Sequence, residues 1–85
     1  MESKRISADF MRLDSLPGIG DVIYLGATWR HPEYAEWENE IVTLVEEGEL
    51  EAEARLIRYP IEGDEQWYGV LVSPIRDIYT ETVAS

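Results

Sequence analysis

The apolar residues of this chain fall into short runs, one of them in strict alternation with polar residues, and turn-forming residues separate the runs. Leu50-Glu51-Ala52-Glu53-Ala54-Arg55-Leu56 alternates at every step. Leu50, Ala52, Ala54 and Leu56 therefore share one face of a predicted strand, and the charged residues share the other. Ile41-Val42-Thr43-Leu44-Val45 has the β-branched composition of a strand. Glu46-Glu47-Gly48-Glu49 breaks that run as a hairpin turn would. A second turn at Glu62-Gly63-Asp64-Glu65 leads into Trp67-Tyr68-Gly69-Val70-Leu71-Val72, which Pro74 closes. The stretch from Glu40 to Val72 thus predicts three consecutive antiparallel strands. After Leu56 the alternation fails at Ile57, which predicts a bulge or a strongly twisted strand end. Pro60 has no N–H to donate and marks an edge or the strand's end.

The flanks are less regular. From Lys4 to Leu13 a strand would place Ile6, Ala8 and Phe10 on one face and Met11 and Leu13 on the other. A helix capped by Ser7 would be barely two turns long before Pro17, and the strand is preferred. Asp14 to Asp21 reads as a turn region: Pro17 presets φ for position i+1, and Gly18 supplies the positive φ that a type II turn needs next. Val22–Leu25 is a short strand ending at Gly26, and the two strands predict a first hairpin. Between residues 27 and 39, Pro32 suits the first position of a helix, and Glu33 and Glu36 suit its N-terminal end. Tyr34 and Trp37 would share a face continued by Ile41 and Leu44, so a helix from Pro32 to Glu47 competes with the strand at 41–45. The β-branched content favours the strand and leaves at most one short helix near 31–39. Ile75, Ile78, Tyr79 and Val83 predict a weaker final strand or a single helical turn. The expected fold is mainly β: one domain, a small antiparallel barrel or curled sheet of five to six strands.

Composition sharpens this picture. With 85 residues and no cysteine, the chain has no disulfide or thiolate metal site to staple it. Three Trp, five Tyr and one Phe supply the large side chains a small core needs. No apolar run reaches the roughly 20 residues of a membrane span, and the N-terminus lacks an apolar leader. A soluble, cytoplasmic protein is expected.

Charge is the strongest compositional signal. The net charge is −11, and residues 33–65 hold twelve acidic residues against Arg55 and Arg58, whereas residues 1–32 balance. Such a surface repels nucleic acid and anionic membrane and attracts basic partners. Glu49, Glu51 and Glu53 recur on one strand face at about 6.6 Å, with Glu46 and Glu47 in the adjoining turn. A row of like charges destabilises a sheet unless it is well solvated or meets a basic partner.

The order Gly20-Asp21-Val22-Ile23-Tyr24-Leu25, a divergent loop, then strands at Ile41–Val45, Ala52–Arg58 and Trp67–Val72 resembles SH3-like and Tudor-type barrels. In those families a Gly-Asp-Val-type first strand precedes a three-stranded meander, and the Asp64-Glu65-Gln66-Trp67 entry to the last long strand is similar to theirs. The resemblance implies a small barrel, with the strand before Pro17 as an addition. It also implies a methyl-cation site of the Tudor kind, an aromatic cage to which Trp67, Tyr68 and Tyr59 would contribute. A small barrel must also fill its own core, and Trp67 or Tyr68 must face inward because neighbours alternate faces.

Catalytic chemistry finds little support. His31, the one histidine, precedes Pro32 in a loop and reads as an ordinary surface residue. Gly18-x-Gly20 lacks the following helix and Lys-Ser/Thr of a phosphate loop, and a turn explains it. No acidic run has calcium-loop spacing, and no catalytic residue, metal or cofactor is expected. A non-enzymatic interaction protein is expected instead, binding a basic protein surface through Glu46, Glu47, Glu49, Glu51 and Glu53, with Trp29, Tyr34 and Trp37 as aromatic anchors. In its sharpest form it mimics a polyanion and occupies the basic groove of a nucleic-acid-binding defence protein. Compact, acidic, cysteine-free chains of this kind are similar in character to phage-encoded anti-restriction and anti-CRISPR inhibitors, which act in the host cytoplasm. The same acids also read as an ordinary solvated surface, and a structural accessory subunit that self-associates is a third reading.

Overall fold

The computed structural model describes residues 4–77. Seven strands are joined in one sheet: β1 (Arg5–Ser7), β2 (Leu13–Leu16), β3 (Gly20–Ala27), β4 (Ile41–Glu46), β5 (Leu50–Ile61), β6 (Asp64–Leu71) and β7 (Arg76–Asp77). Two 3-10 turns, Phe10–Arg12 and Pro32–Trp37, complete the regular structure. The strand order is β1-β4-β5-β6-β3-β2, and β7 pairs with the start of β5. The expected meander is present as β4, β5 and β6, paired antiparallel in continuous register. The outer strands of this path, β1 and β2, are not paired with each other. Of the two architectures expected, the structure is therefore an open sheet rather than a barrel.

The turns obey their local chemistry. Ile19 N–H donates to the Leu16 carbonyl at 3.0 Å, with Pro17 at i+1 and Gly18 (φ 75°) at i+2, as a type II turn requires. Between β5 and β6 a two-residue connection joins Ile61 to Asp64, and both Glu62 (φ 51°) and Gly63 (φ 89°) are left-handed. That is the pattern of a type I′ hairpin turn, whose twist matches the strands it connects.

The N-terminal segment departs from the single strand expected over Lys4–Leu13. It divides at Asp9, whose carboxylate accepts from the Met11 N–H at 2.9 Å and caps a 3-10 turn. Before that cap, β1 pairs parallel with β4, Ile6 opposite Leu44. After it, Leu13, the last residue of the expected strand, runs on through Asp14–Leu16, expected within the turn region, as β2, which forms the first hairpin with β3. The sheet is thus not wholly antiparallel.

The helix expected as a rival over Pro32–Glu47 stops as a 3-10 turn at Trp37. Asn39 adopts φ 71°, outside helical space. Its N–H donates to the Leu56 carbonyl at 2.6 Å, and Leu56 N–H donates to the Glu40 carbonyl at 3.0 Å. Those bonds launch the chain into β4, so residues 41–46 are strand.

The core lies on one face of the sheet. Ile6, Ile23, Leu25, Val42, Leu44, Ala52, Ala54, Leu56 and Trp67 are buried together, and Phe10 closes over them from its 3-10 turn. The middle of the sheet carries small residues on this face: Ala52, Ala54 and Gly69. A Cβ at Gly69 would lie 2.8 Å from Leu44 Cδ1 and 3.1 Å from Ala54 Cβ. Leu44 occupies the space that side chains at these positions would otherwise fill. Small central and large outer residues let the outer strands close over one core.

Ile57, where the alternation of β5 breaks, is not a bulge, since β5 stays in register with β6 throughout. The break marks a second apolar cluster on the opposite face, where Leu16, Val22 and Tyr68 are buried against Tyr24, Ile57, Tyr59 and Val70. Pro60 sits opposite Glu65 next to the end of β5, in keeping with its missing donor. The residues expected in a final element divide: Arg76 and Asp77 form β7, while Ile78, Tyr79 and Val83 lie outside the described residues.

Candidate functional site

The residues expected to bind a partner occupy three separate environments. Glu46, Glu47 and Glu49 surround the β4–β5 turn, where Gly48 takes φ 76° and Glu49 N–H donates to the Glu46 carbonyl at 2.9 Å. Glu46 ends β4, and its Oε1 accepts from the Phe10 N–H at 3.2 Å, so it also fastens the first 3-10 turn. Glu47 and Glu49 are exposed and make no ion pair among the described residues.

Glu51 and Glu53 do share one face of β5, as their spacing predicts, but a guanidinium holds them. β7 pairs with β5 so that Arg76 stands opposite Glu51. Arg76 donates from Nη1 and Nη2 to the two oxygens of Glu53, at 2.8 and 2.7 Å, and from Nη2 to Glu51 Oε2 at 3.1 Å. Arg5, reaching from β1, approaches Glu51 Oε1 to 3.7 Å. Two members of the row of like charges are thereby bridged from within, which relieves much of the repulsion expected between them. The Arg76 guanidinium, helped by the Ser73 hydroxyl, holds the Glu53 carboxyl below the usual range against the opposing effect of burial.

That arrangement has a pH signature. Because the folded pKa of Glu53 lies below its unfolded value, the pairing stabilises fully above about pH 4.3 and is lost as pH falls through the folded value. Arg76→Gln is expected to be less stable than wild type at pH 7, with the gap closing below about pH 4. Urea unfolding of both proteins at the two pH values measures this, and Arg55→Gln, which removes the same charge from an arginine without a carboxylate partner among the described residues, gives the share due to overall repulsion.

The aromatic anchors separate as well. Trp29 is 75% exposed, with the Arg30 guanidinium 5.5 Å from its ring centroid. Tyr34 and Trp37 are instead half-buried on the second 3-10 turn and pack on the core. His31, expected as an ordinary surface residue, belongs to the same stack: its ring lies 4.8 Å from Tyr34 with the planes 8° apart, and Tyr34 stacks on Trp37 at 6.5 Å. Trp67 closes this group from the core side, edge-on to Tyr34 at 6.1 Å, and its Nε1–H donates to the His31 carbonyl at 3.0 Å. Burial, reinforced by Glu33, raises the Tyr34 phenol above its ordinary pKa. Arg58 covers the outer side of Trp67, 4.9 Å from the ring, while bonded to Glu38 (2.7 Å) and Glu65 (3.2 Å).

Trp67 and Tyr68 are both buried, in clusters on opposite faces, and Tyr59 stands edge-on to Tyr68 at 6.3 Å. These three rings line no common pocket.

Sequence reasoning passed over the arginines. Six of the seven basic residues are Arg, the residue whose planar fork suits bidentate carboxylate pairing and ring stacking. That bias was the available signal that the acidic face is internally bridged. Among the described residues no group of three or more His, Asp or Glu is placed to hold a metal ion, and no helix is long and apolar enough to cross a membrane. The chain matches no protein-family model, and neither a curated protein nor a solved structure is similar enough to count as a match.

Proposed function

We propose that this protein is a non-enzymatic acidic interaction module that binds a basic protein surface, with the β4–β5 turn as its charged contact. The reading rests on how charge is divided over the surface. Glu38, Glu51, Glu53 and Glu65 are bridged by arginines, whereas Glu47 and Glu49 stand exposed beside Glu46 without a cationic partner among the described residues. A basic surface would relieve the repulsion concentrated there and would be steered to it by the net charge of −11. Trp29 is the ring exposed enough to anchor such a contact. In the sharper form of the reading, the partner's basic surface is one that otherwise holds nucleic acid, and the two compete.

The test uses the full chain to capture a partner from lysate at low salt, followed by Kd measurement on the purified pair over a salt series. Glu47→Lys with Glu49→Lys is expected to weaken binding roughly tenfold or more and to flatten the salt dependence. Reversing Glu51 or Glu53 would be a poor test, because it leaves Arg76 facing a new cation. An affinity indifferent to both salt and the reversal at 47 and 49 would sink the proposal. Displacement of duplex DNA from the captured partner separates the competitive form from simple binding.

A further inference from the structure

Not every cation of this acidic chain is used to bridge its carboxylates. Lys4, Arg5, Arg58 and Arg76 ion-pair with glutamates, and Arg55 donates to the Asn39 carbonyl at 2.9 Å. Arg12 and Arg30 make no ion pair among the described residues, although acids outnumber bases by 18 to 7. They come from different parts of the chain, the first 3-10 turn and the loop after β3. Both line one cleft of about 500 Å³ together with Ser7, Tyr24, Gly26 and His31, a volume within the range of small-molecule sites.

The cleft is a built feature. The Arg12 guanidinium carbon lies over the Tyr24 ring, 5.4 Å from its centroid. Tyr24 is itself fixed by its hydroxyl, which donates to Gln66 Oε1 at 2.7 Å, and by an edge contact with Tyr68 at 5.5 Å. The Arg30 guanidinium carbon lies over the Trp29 ring in the same manner, 5.5 Å from the centroid. A cation–π contact spends none of the guanidinium's N–H donors, which stay available to an anion. The lining includes a β-bulge: the register of β3 against β6 slips between Tyr24 and Gly26, a device that re-aims side chains near functional sites. Gly26 takes φ 112°, and a Cβ there would lie 3.1 Å from His31 Cδ2 and 3.4 Å from Nε2. The absent side chain is what lets the imidazole edge reach the cleft. Asp9 also lines the cleft, its Oδ1 accepting from the Met11 N–H.

We propose that this cleft binds a small phosphomonoester, with Arg12 and Arg30 as its two guanidinium contacts. A phosphomonoester carries about −1.5 to −2 charges near neutral pH and three terminal acceptor oxygens, enough for two forks arriving from two segments. A carboxylate offers one negative charge and two oxygens in a single plane, less than two forks arriving from two segments can engage on a phosphate. The Ser7 hydroxyl and the His31 ring edge supply further polar groups along the same lining, and the Tyr24 ring offers an aromatic wall for a ring attached to the phosphate.

The experiment titrates the full ¹⁵N-labelled chain with phenyl phosphate, inorganic phosphate and benzoate, following amide shifts. Saturable shifts confined to Ser7, Gly26, His31 and their neighbours are expected, strongest for phenyl phosphate and weakest for benzoate. Arg12→Gln and Arg30→Gln are each expected to weaken binding roughly tenfold or more, while Arg55→Gln leaves it unchanged. Amide shifts remote from the cleft report that each variant is folded. The proposal is overturned if phenyl phosphate at millimolar concentration produces no saturable shift there. It is equally overturned if benzoate binds as well, or if both folded arginine variants bind as wild type.

Discussion

Trp67→Ala is expected to lower the free energy of unfolding by about 3–5 kcal/mol, the usual cost of deleting a buried aromatic side chain. Trp67 is 1% exposed and belongs to the main core. Its loss opens a cavity beneath the second 3-10 turn, strips Tyr34 of its edge contact and leaves the His31 carbonyl with the Tyr34 N–H but without the indole donor. For a domain whose whole stability is about 5–15 kcal/mol, this is enough to unfold much of the population. Urea denaturation should show a lower midpoint with little change in slope. Trp67→Phe separates the two contributions: it keeps much of the packing and loses only the hydrogen bond to the His31 carbonyl, which still accepts from the Tyr34 N–H, at about 0.5–1.5 kcal/mol. A Trp67→Ala midpoint within error of wild type would show that the 3-10 turn does not depend on this ring.

Gly69→Val is expected to destabilise by about 1–3 kcal/mol or more, through overpacking rather than cavity formation. The first added carbon would already lie 2.8 Å from Leu44 Cδ1, and Ala54 Cβ at 3.1 Å blocks the other side. Leu44 is fully buried, so its side chain has little room to withdraw. Gly69→Ala should cost less, because removing a glycine from a strand recovers about 0.5–1 kcal/mol of conformational entropy. The decisive measurement is a double-mutant cycle with Leu44→Val. If Leu44 is the obstacle, the pair should be more stable than the sum of the single changes implies. Strict additivity would place the clash elsewhere.

The meander was legible because its signals are local. Strict alternation over Leu50–Leu56, β-branched residues at 41–45 and glycines at positions 48 and 63 each state a preference that needs no distant partner. The tightening of Pro17-Gly18 into a type II turn is of the same kind. Less was legible where a residue's partner lies far along the chain. The parallel pairing of Ile6 with Leu44 joins residues separated by two strands and a loop, and no local pattern announces it. The end of the second 3-10 turn was equally hidden. The spacing of Tyr34, Trp37, Ile41 and Leu44 suits a helix, but backbone bonds between Asn39, Glu40 and Leu56 override it.

The candidate site shows the same boundary. Glu49 falls in the turn before β5, but that Glu51 and Glu53 share a face of the strand followed from a two-residue period alone. What the face presents to a partner did not, because Arg76 joins it only through the pairing of β7 with β5, and Arg5 only through β1. Charge counted along the chain describes a continuous acidic row, whereas in three dimensions two of its members are bridged and the unpaired charge lies at the turn. The sequence by itself determined the three strands of the meander, the turns between them and how acidic the whole is, since these depend on neighbours in the chain. The tertiary structure alone decided that the sheet stays open, which acids keep their charge unpaired, and that two arginines meet at one cleft. Those outcomes depend on long-range pairing, in which geometry rather than composition selects the partner.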